Sequence, residues 1–159
     1  MINRNCFYLE RDAMKSDFQT LLKDLSLKST PKRLALLQIL DEEKVYLSPE
    51  SIWKKMQQRF KRIGLPTVYR ILDELHEGNI ISRVIHPNRQ LYYYLCRNEE
   101  HHHHFICVSC SRVEDLHFCA EKEIESLVVK DMKGQVLSHI LQINGLCSRC
   151  LTEKVPVHG

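Results

Sequence analysis

Four stretches in the first half of the chain place apolar residues at helical spacing. "MKSDFQTLLKDL" sets Phe18, Leu21, Leu22 and Leu25 on one face. In "STPKRLALLQILDEE", Thr30 is placed to cap a helix and Pro31 to open it. "SPESIWKKMQQRF" repeats the device with Ser48 and Pro49, and its stripe is Ile52, Trp53, Met56 and Phe60. "LPTVYRILDELHEGN" carries Val68, Ile71, Leu72 and Leu75 at i, i+3, i+4 and i+7, which predicts one buried face, with Gly78 as the stop.

The period then shortens to that of strands. "IISRVIH" and "QLYYYLC" flank "PNR" and read as a hairpin. Helices followed by such a hairpin suggest a winged helix-turn-helix. Beyond it, "HHHFICVSC" and "SRVEDL" read as strands, "AEKEIESLVVKDM" as a helix, and "GQVLSHILQIN" as a strand that closes on "GLCSRC". The expected fold class is α+β: an N-terminal winged-helix domain over residues 1–87 and a C-terminal α/β domain over 88–159, with the hinge near Pro87 to Arg89.

Composition narrows the setting. At 43% hydrophobic and 27% charged residues in a chain of 159, the balance is that of a soluble globular protein. No apolar run is long enough to span a bilayer, and "MINRNCFYLERDAMK" has no apolar signal-peptide core, so no membrane association and a cytoplasmic location are expected. The net charge of +3 is uneven: 15 basic against 11 acidic residues up to His86, and 8 against 9 from Pro87 onward. That bias allows a nucleic-acid partner for the first half.

The polar side of the fourth helical stretch fits such a partner. With its apolar set buried, Thr67, Tyr69 and Arg70 point outward near the N-terminal end, by which a recognition helix enters the major groove. Arg reads guanine or holds phosphate, and a Thr methyl or an aromatic ring meets a thymine methyl. Lys28, Lys32 and Arg33 flank the second helix, where backbone contacts are expected. Each of these side chains could equally be a solvated surface group.

The seven cysteines carry the sharpest signal. Cys107 with Cys110, and Cys147 with Cys150, form two Cys-x-x-Cys pairs, the ligand set of a closed tetrahedral zinc site. Four thiolates leave no open position, so this zinc is expected to be structural. Zinc hydrolases and deaminases, which need a coordinated water and an acid/base carboxylate, lack their motifs here. On a strand, His101 and His103 would face one way and His102 and His104 the other, so one run could feed two metal sites.

The order of "TPKRLALLQIL", "SPESIWKKM", "LPTVYRILDEL", "HHHHFICVSCSRVEDL" and "SHILQINGLCSRC" resembles the ferric uptake regulator (Fur) family of metal-dependent transcription factors. The resemblance covers nearly the whole chain after about Lys15. It implies a winged-helix DNA-binding domain joined by a hinge to a dimerisation domain. It also implies a homodimer that binds a palindromic operator in double-stranded DNA when metal is bound, with Tyr69 and Arg70 on the recognition helix. A second metal site would use His101, His103, Glu123 and His139, with Glu121 as an alternative to Glu123. The hinge site would use His102 and His104 with a carboxylate at Asp115.

At that hinge the chain departs from the iron-sensing pattern. Tyr46 stands where iron members have a His, and Tyr94 where they have a Glu. Cys96 follows, and is similar to the zinc uptake regulator (Zur) branch, since thiolate and imidazole suit Zn²⁺. Zinc members often add a ligand at the position of Ser82; His86 lies nearby. The expected regulatory set is Cys96, His102, His104 and either Asp115 or His86. The expected function is a zinc-responsive repressor of metal-uptake genes, not an enzyme, with structural and regulatory Zn²⁺. Alternatives are an iron- or peroxide-responsive member using Fe²⁺ or Mn²⁺, a zinc-buffering protein without a DNA role, and a redox enzyme using its cysteine pairs. Cys6 and Cys119 have no assigned role.

Overall fold

Prolines and hydroxyls set where the N-terminal helices begin. The computed structural model describes residues 18–96, 102–116, 120–137 and 139–153. Helix α1 is Phe18–Asp24 and α2 is Pro31–Glu43, whose cap Thr30 accepts from the Arg33 amide at 3.3 Å. Helix α3, Pro49–Gln57, repeats the cap with Ser48 accepting from the Ser51 amide at 3.1 Å. Helix α4 is Leu65–Glu77. Its end is closed by Ile80 N–H to the Leu75 carbonyl and Asn79 N–H to His76, both 2.9 Å, with Asn79 at φ 54°. The left-handed residue is therefore Asn79, while Gly78 has φ −77°. Gly78 serves close approach instead: a Cβ there would stand 3.2 Å from Leu27 Cδ1.

The predicted stripes bury together. Leu22, Leu36, Leu37, Ile52, Met56, Leu72 and Leu75 form one core with Val68 and Ile71. Each such side chain contributes about 1.5–3 kcal/mol of transfer free energy. The wing is an antiparallel hairpin of β1, Ser82–Ile85, and β2, Leu91–Tyr94, in register Ser82 to Tyr94. Leu47 and Tyr93 exchange both backbone hydrogen bonds at 2.9 Å, which ties the loop before α3 to the wing.

The second half is a three-stranded sheet in the order β4-β3-β5. Strand β3, His103–Cys107, pairs antiparallel with β4, Val113–Leu116, and parallel with β5, Gln142–Gly145. Helix α5, Glu121–Leu127, runs into a π-helical stretch, Val128–Met132, and a short α6, Ser148–Thr152, follows β5.

Two expectations are corrected here. The strand expected over Gly134 to Asn144 is reduced to its end, because the described residues before Gln142 have no strand neighbour within one chain. Leu137 and Ile140 are left 81% and 94% exposed. Pro87 to Arg89 is the turn of the wing, not a hinge: β1 and β2 pair across it, and Tyr93 on β2 belongs to the first core.

A third correction concerns Arg33, which is 8% exposed. Its guanidinium donates to the Lys28 carbonyl and to the Glu74 carboxylate, clamping the start of α2 to α4. Its contacts give it a structural role within the helical core, where it was expected to flank α2 at the surface. Arg33→Ala should lower the unfolding free energy by about 1–3 kcal/mol, since Glu74 and a carbonyl lose a charged partner. Urea unfolding would read this, and a stability unchanged from wild type would return Arg33 to the surface.

Candidate metal centre

The first Cys-x-x-Cys sits on the turn between β3 and β4. Ser111, at φ 62°, donates to the Cys107 carbonyl at 3.0 Å and so folds the chain back. The second pair follows β5 and enters α6. Gly145 brings the two pairs together, because a Cβ there would lie 2.8 Å from the Phe105 ring. Val108 N–H to the Gly145 carbonyl, 2.9 Å, fixes the strands at that point.

The sulfurs of Cys107, Cys110, Cys147 and Cys150 all lie within 4.8 Å of one another. Cys110 Sγ and Cys147 Sγ are 3.8 Å apart. A tetrahedral Zn–S shell of about 2.3 Å requires edges of about 3.8 Å, whereas a disulfide needs about 2.05 Å. Burial pushes the Cys107 thiol up, but backbone N–H groups of Cys110, Cys147 and Ser109 outweigh it and draw the pKa down to about 6. A thiolate forms readily there, and a divalent cation is what allows its neighbours to follow. The cluster fits a structural zinc site.

The second group joins the two halves of the chain. Cys96 comes from the end of the wing, His102 and His104 from the start of β3, and Asp115 from β4 beside it, paired with His104. Their donor atoms again lie within 4.8 Å of one another. Cys96 Sγ is 3.1 Å from His102 Nε2 and 3.6 Å from His104 Nε2. Asp115 Oδ1 is 3.8 Å from each of those nitrogens. Tetrahedral zinc with one sulfur and N/O donors calls for roughly 3.3–3.6 Å, so this set fits too. Burial, and then the neighbouring His102, hold the His104 pKa down at about 4. The imidazole is therefore neutral at pH 7, the form that binds metal.

His86 does not join this set. It is buried between Tyr46 and Tyr92, with ring centroids 6.0 and 5.3 Å away, and its Nδ1 accepts from the Asn88 amide at 3.3 Å. Of the two expected alternatives, Asp115 is the one that the fold brings to the other three donors. Tyr94 was not foreseen as part of the site, yet its hydroxyl lies against His104 Nε2. Tyr94 and Cys96 meet in one buried cluster with Tyr46, Val84 and Ile106. A half-open cleft of about 290 Å³, lined by Asp41, Lys44, Tyr94, Cys96 and Asp115, leads to the donors.

Over its described part, His102 to His104, the histidine run alternates as expected. His103 turns away from Cys96 and lies with its Nε2 3.2 Å from that of His139. Glu123 is exposed on α5 and is not gathered with this pair among the described residues. Among the described residues, the groups of three or more possible ligands are the two sets above. His101, Cys6 and Cys119 lie outside the described residues.

On α4, Thr67 is half-buried and Arg70 exposed, and Tyr69 is 40% exposed with its hydroxyl donating to Glu50 of α3 at 2.9 Å. Lys28 is exposed beside α2.

The model of the ferric uptake regulator family matches residues 24–144. This chain belongs to the ferric uptake regulator family. The ferric uptake regulation protein of Bacillus subtilis is 30% identical over 132 residues, covering 81% of this chain and 89% of that protein. Among solved structures, the Helicobacter pylori ferric uptake regulator, described with three functional metal-binding sites, is 27% identical. It has a TM-score of 0.59 and covers 84% of this chain and 89% of its own. A zinc uptake regulator complexed with zinc and DNA has a TM-score of 0.72 at 20% identity, covering 87% and 93%. The latter likeness shows the shared fold. Members of the family are metal-responsive transcriptional regulators.

The depressed His104 pKa makes a pH prediction for protein carrying only the four-cysteine zinc. Folded, the imidazole stays neutral down to about pH 4; unfolded, it takes up a proton below about 6.5. Its contribution is complete above pH 6.5 and is lost as pH falls toward 4. The wild-type minus His104→Gln difference in urea-unfolding free energy should decline across that window, and a flat difference would refute the assignment.

Proposed function

We propose that the chain is a cytoplasmic, zinc-responsive repressor that binds a palindromic site in double-stranded DNA as a homodimer and controls metal-uptake genes. The observation that carries this reading is the Cys96, His102, His104 and Asp115 set, with one thiolate and two imidazoles among four converging donors. A soft sulfur beside nitrogen suits Zn²⁺ over Fe²⁺ or Mn²⁺. Iron sensing is the second reading, favoured by the 30% identity to a ferric regulator.

When bound, a divalent ion supplies one shared point of attachment for these donors. Cys96 belongs to the wing and the other three to the sheet, so all four can serve one ion only in one arrangement of the halves. Ligand binding then favours that arrangement in proportion to its differential affinity. Helix α4 is carried on the same rigid core as the wing and would be presented at a set distance from its symmetry mate. Leu127, Met132, Leu137 and Ile140 are exposed apolar side chains that a second copy would cover in a two-fold dimer, the symmetry a palindrome requires. No helix among the described residues is long and apolar enough to cross a membrane.

Two experiments test this. DNA selected from a random pool by the zinc-loaded chain serves as operator in anisotropy titrations at buffered free Zn²⁺, Fe²⁺ and Mn²⁺, run anaerobically. Cys96→Ser should erase a zinc enhancement of about 5–150-fold while one zinc per chain remains. Unchanged zinc dependence would remove Cys96 from the site, and activation by Fe²⁺ or Mn²⁺ but not Zn²⁺ would favour the second reading. Arg70→Ala should cost about 1–3 kcal/mol of DNA binding with zinc content intact. A variant that binds as tightly as wild type would place the DNA elsewhere.

A further inference from the structure

Resting on the regulatory-site reading, we propose that Tyr94 sets the zinc affinity of the Cys96 site by occupying the metal-binding nitrogen of His104 when the site is empty. The hydroxyl lies on His104 Nε2, the same atom that faces Cys96 Sγ at 3.6 Å and Asp115 Oδ1 at 3.8 Å. A neutral imidazole has one lone pair at its unprotonated nitrogen. That lone pair serves either the phenol proton or a metal ion.

The contact is built in. Tyr94 is buried, 7% exposed, and its ring meets the His104 ring edge to face with centroids 5.1 Å apart. The β1–β2 register sets Tyr94 opposite Ser82, so backbone pairing holds the ring in place. A phenol has one O–H to donate, and the tautomer of His104 with Nδ1 protonated leaves Nε2 to accept it.

Tyr94 is thus a positioning residue with two effects. It holds His104 with the ligand nitrogen unprotonated and aimed inward, and it imposes on every incoming ion the loss of one hydrogen bond. A net hydrogen bond of about 0.5–1.5 kcal/mol corresponds to roughly 2–10-fold in affinity.

The test is chelator competition for zinc on the full chain, comparing wild type, Tyr94→Phe and Cys96→Ser. The first zinc, held by the four cysteines, should bind alike in all three. The second should bind Tyr94→Phe roughly 2–10-fold more tightly than wild type and should be missing from Cys96→Ser. If Cys96→Ser takes up the second zinc normally, the ligand assignment fails and this inference with it. If Cys96→Ser loses the second zinc while Tyr94→Phe binds it no tighter than wild type, the inference alone is overturned. Long-range ¹⁵N NMR of wild-type protein with only the first zinc gives a readout independent of any variant. His104 should show Nδ1 protonated and Nε2 as acceptor, and a proton on Nε2 would overturn the proposal.

Discussion

The junction between the wing and β3 is where this fold is decided. Each half has its own means of holding together: a helical core around Leu36 and Leu72 in one, and the four-cysteine knuckle in the other. What lies between them is small. Tyr46, Val84, Tyr94, Cys96 and Ile106 form the shared apolar contact. Tyr46 donates its hydroxyl to the Cys107 carbonyl at 3.3 Å and its amide to the Ser111 carbonyl at 3.2 Å. Gln142 donates to the Ile85 carbonyl at 2.7 Å and accepts from its amide at 3.1 Å. An interface of this kind does not fix two bodies firmly, so polar donors at its centre can decide their relation.

The electrostatics of the two cysteine-bearing sites differ in a way that suits different tasks. At the knuckle, backbone N–H groups converge on Cys107 and favour its thiolate, which makes a tightly held, permanent ion the natural occupant. At the junction, one thiol is combined with two imidazoles and a single carboxylate that is partly exposed. Fewer charges must be gathered there, and a cleft leads in. Reversible occupation is easier at such a site than among four thiolates.

The helices were legible because cap chemistry and a period of 3.6 agreed at each of them, as at Thr30-Pro31 and Ser48-Pro49. The cysteine quartet was legible because spacing alone specifies a knuckle. The histidine parity followed from strand alternation. The failures share a different cause. Pro87-Asn88-Arg89 is turn chemistry, and a tight turn and a linker look alike until pairing partners are known. Arg33 carries a charge that only the approach of α4 reveals as buried. The segment before Gln142 has strand composition, but among the described residues no strand pairs with it. His86 has the right chemistry, yet its Tyr46 and Tyr92 neighbours claim the ring.

The weakness of the junction bears on how a metal response is possible at all. Hydrogen bonds such as those of Tyr46 and Gln142 are each worth about 0.5–1.5 kcal/mol net. On the proposed reading, a few of them with a small apolar contact leave the arrangement of the halves open to bias by a bound ion. Moving a two-state equilibrium from 1:99 to 99:1 takes about 5.5 kcal/mol of differential binding. A four-donor site can supply that only if two conditions hold. Its donors must be split between the bodies, so that the open form cannot use them all. The remaining contacts must also not already have closed the hinge. A larger apolar seam at Tyr46 and Ile106 would leave the chain closed without metal. A junction stripped of the Tyr46 and Gln142 bonds would demand more from the ion than its differential affinity supplies. The response therefore depends as much on the modest strength of these protein contacts as on the donors themselves.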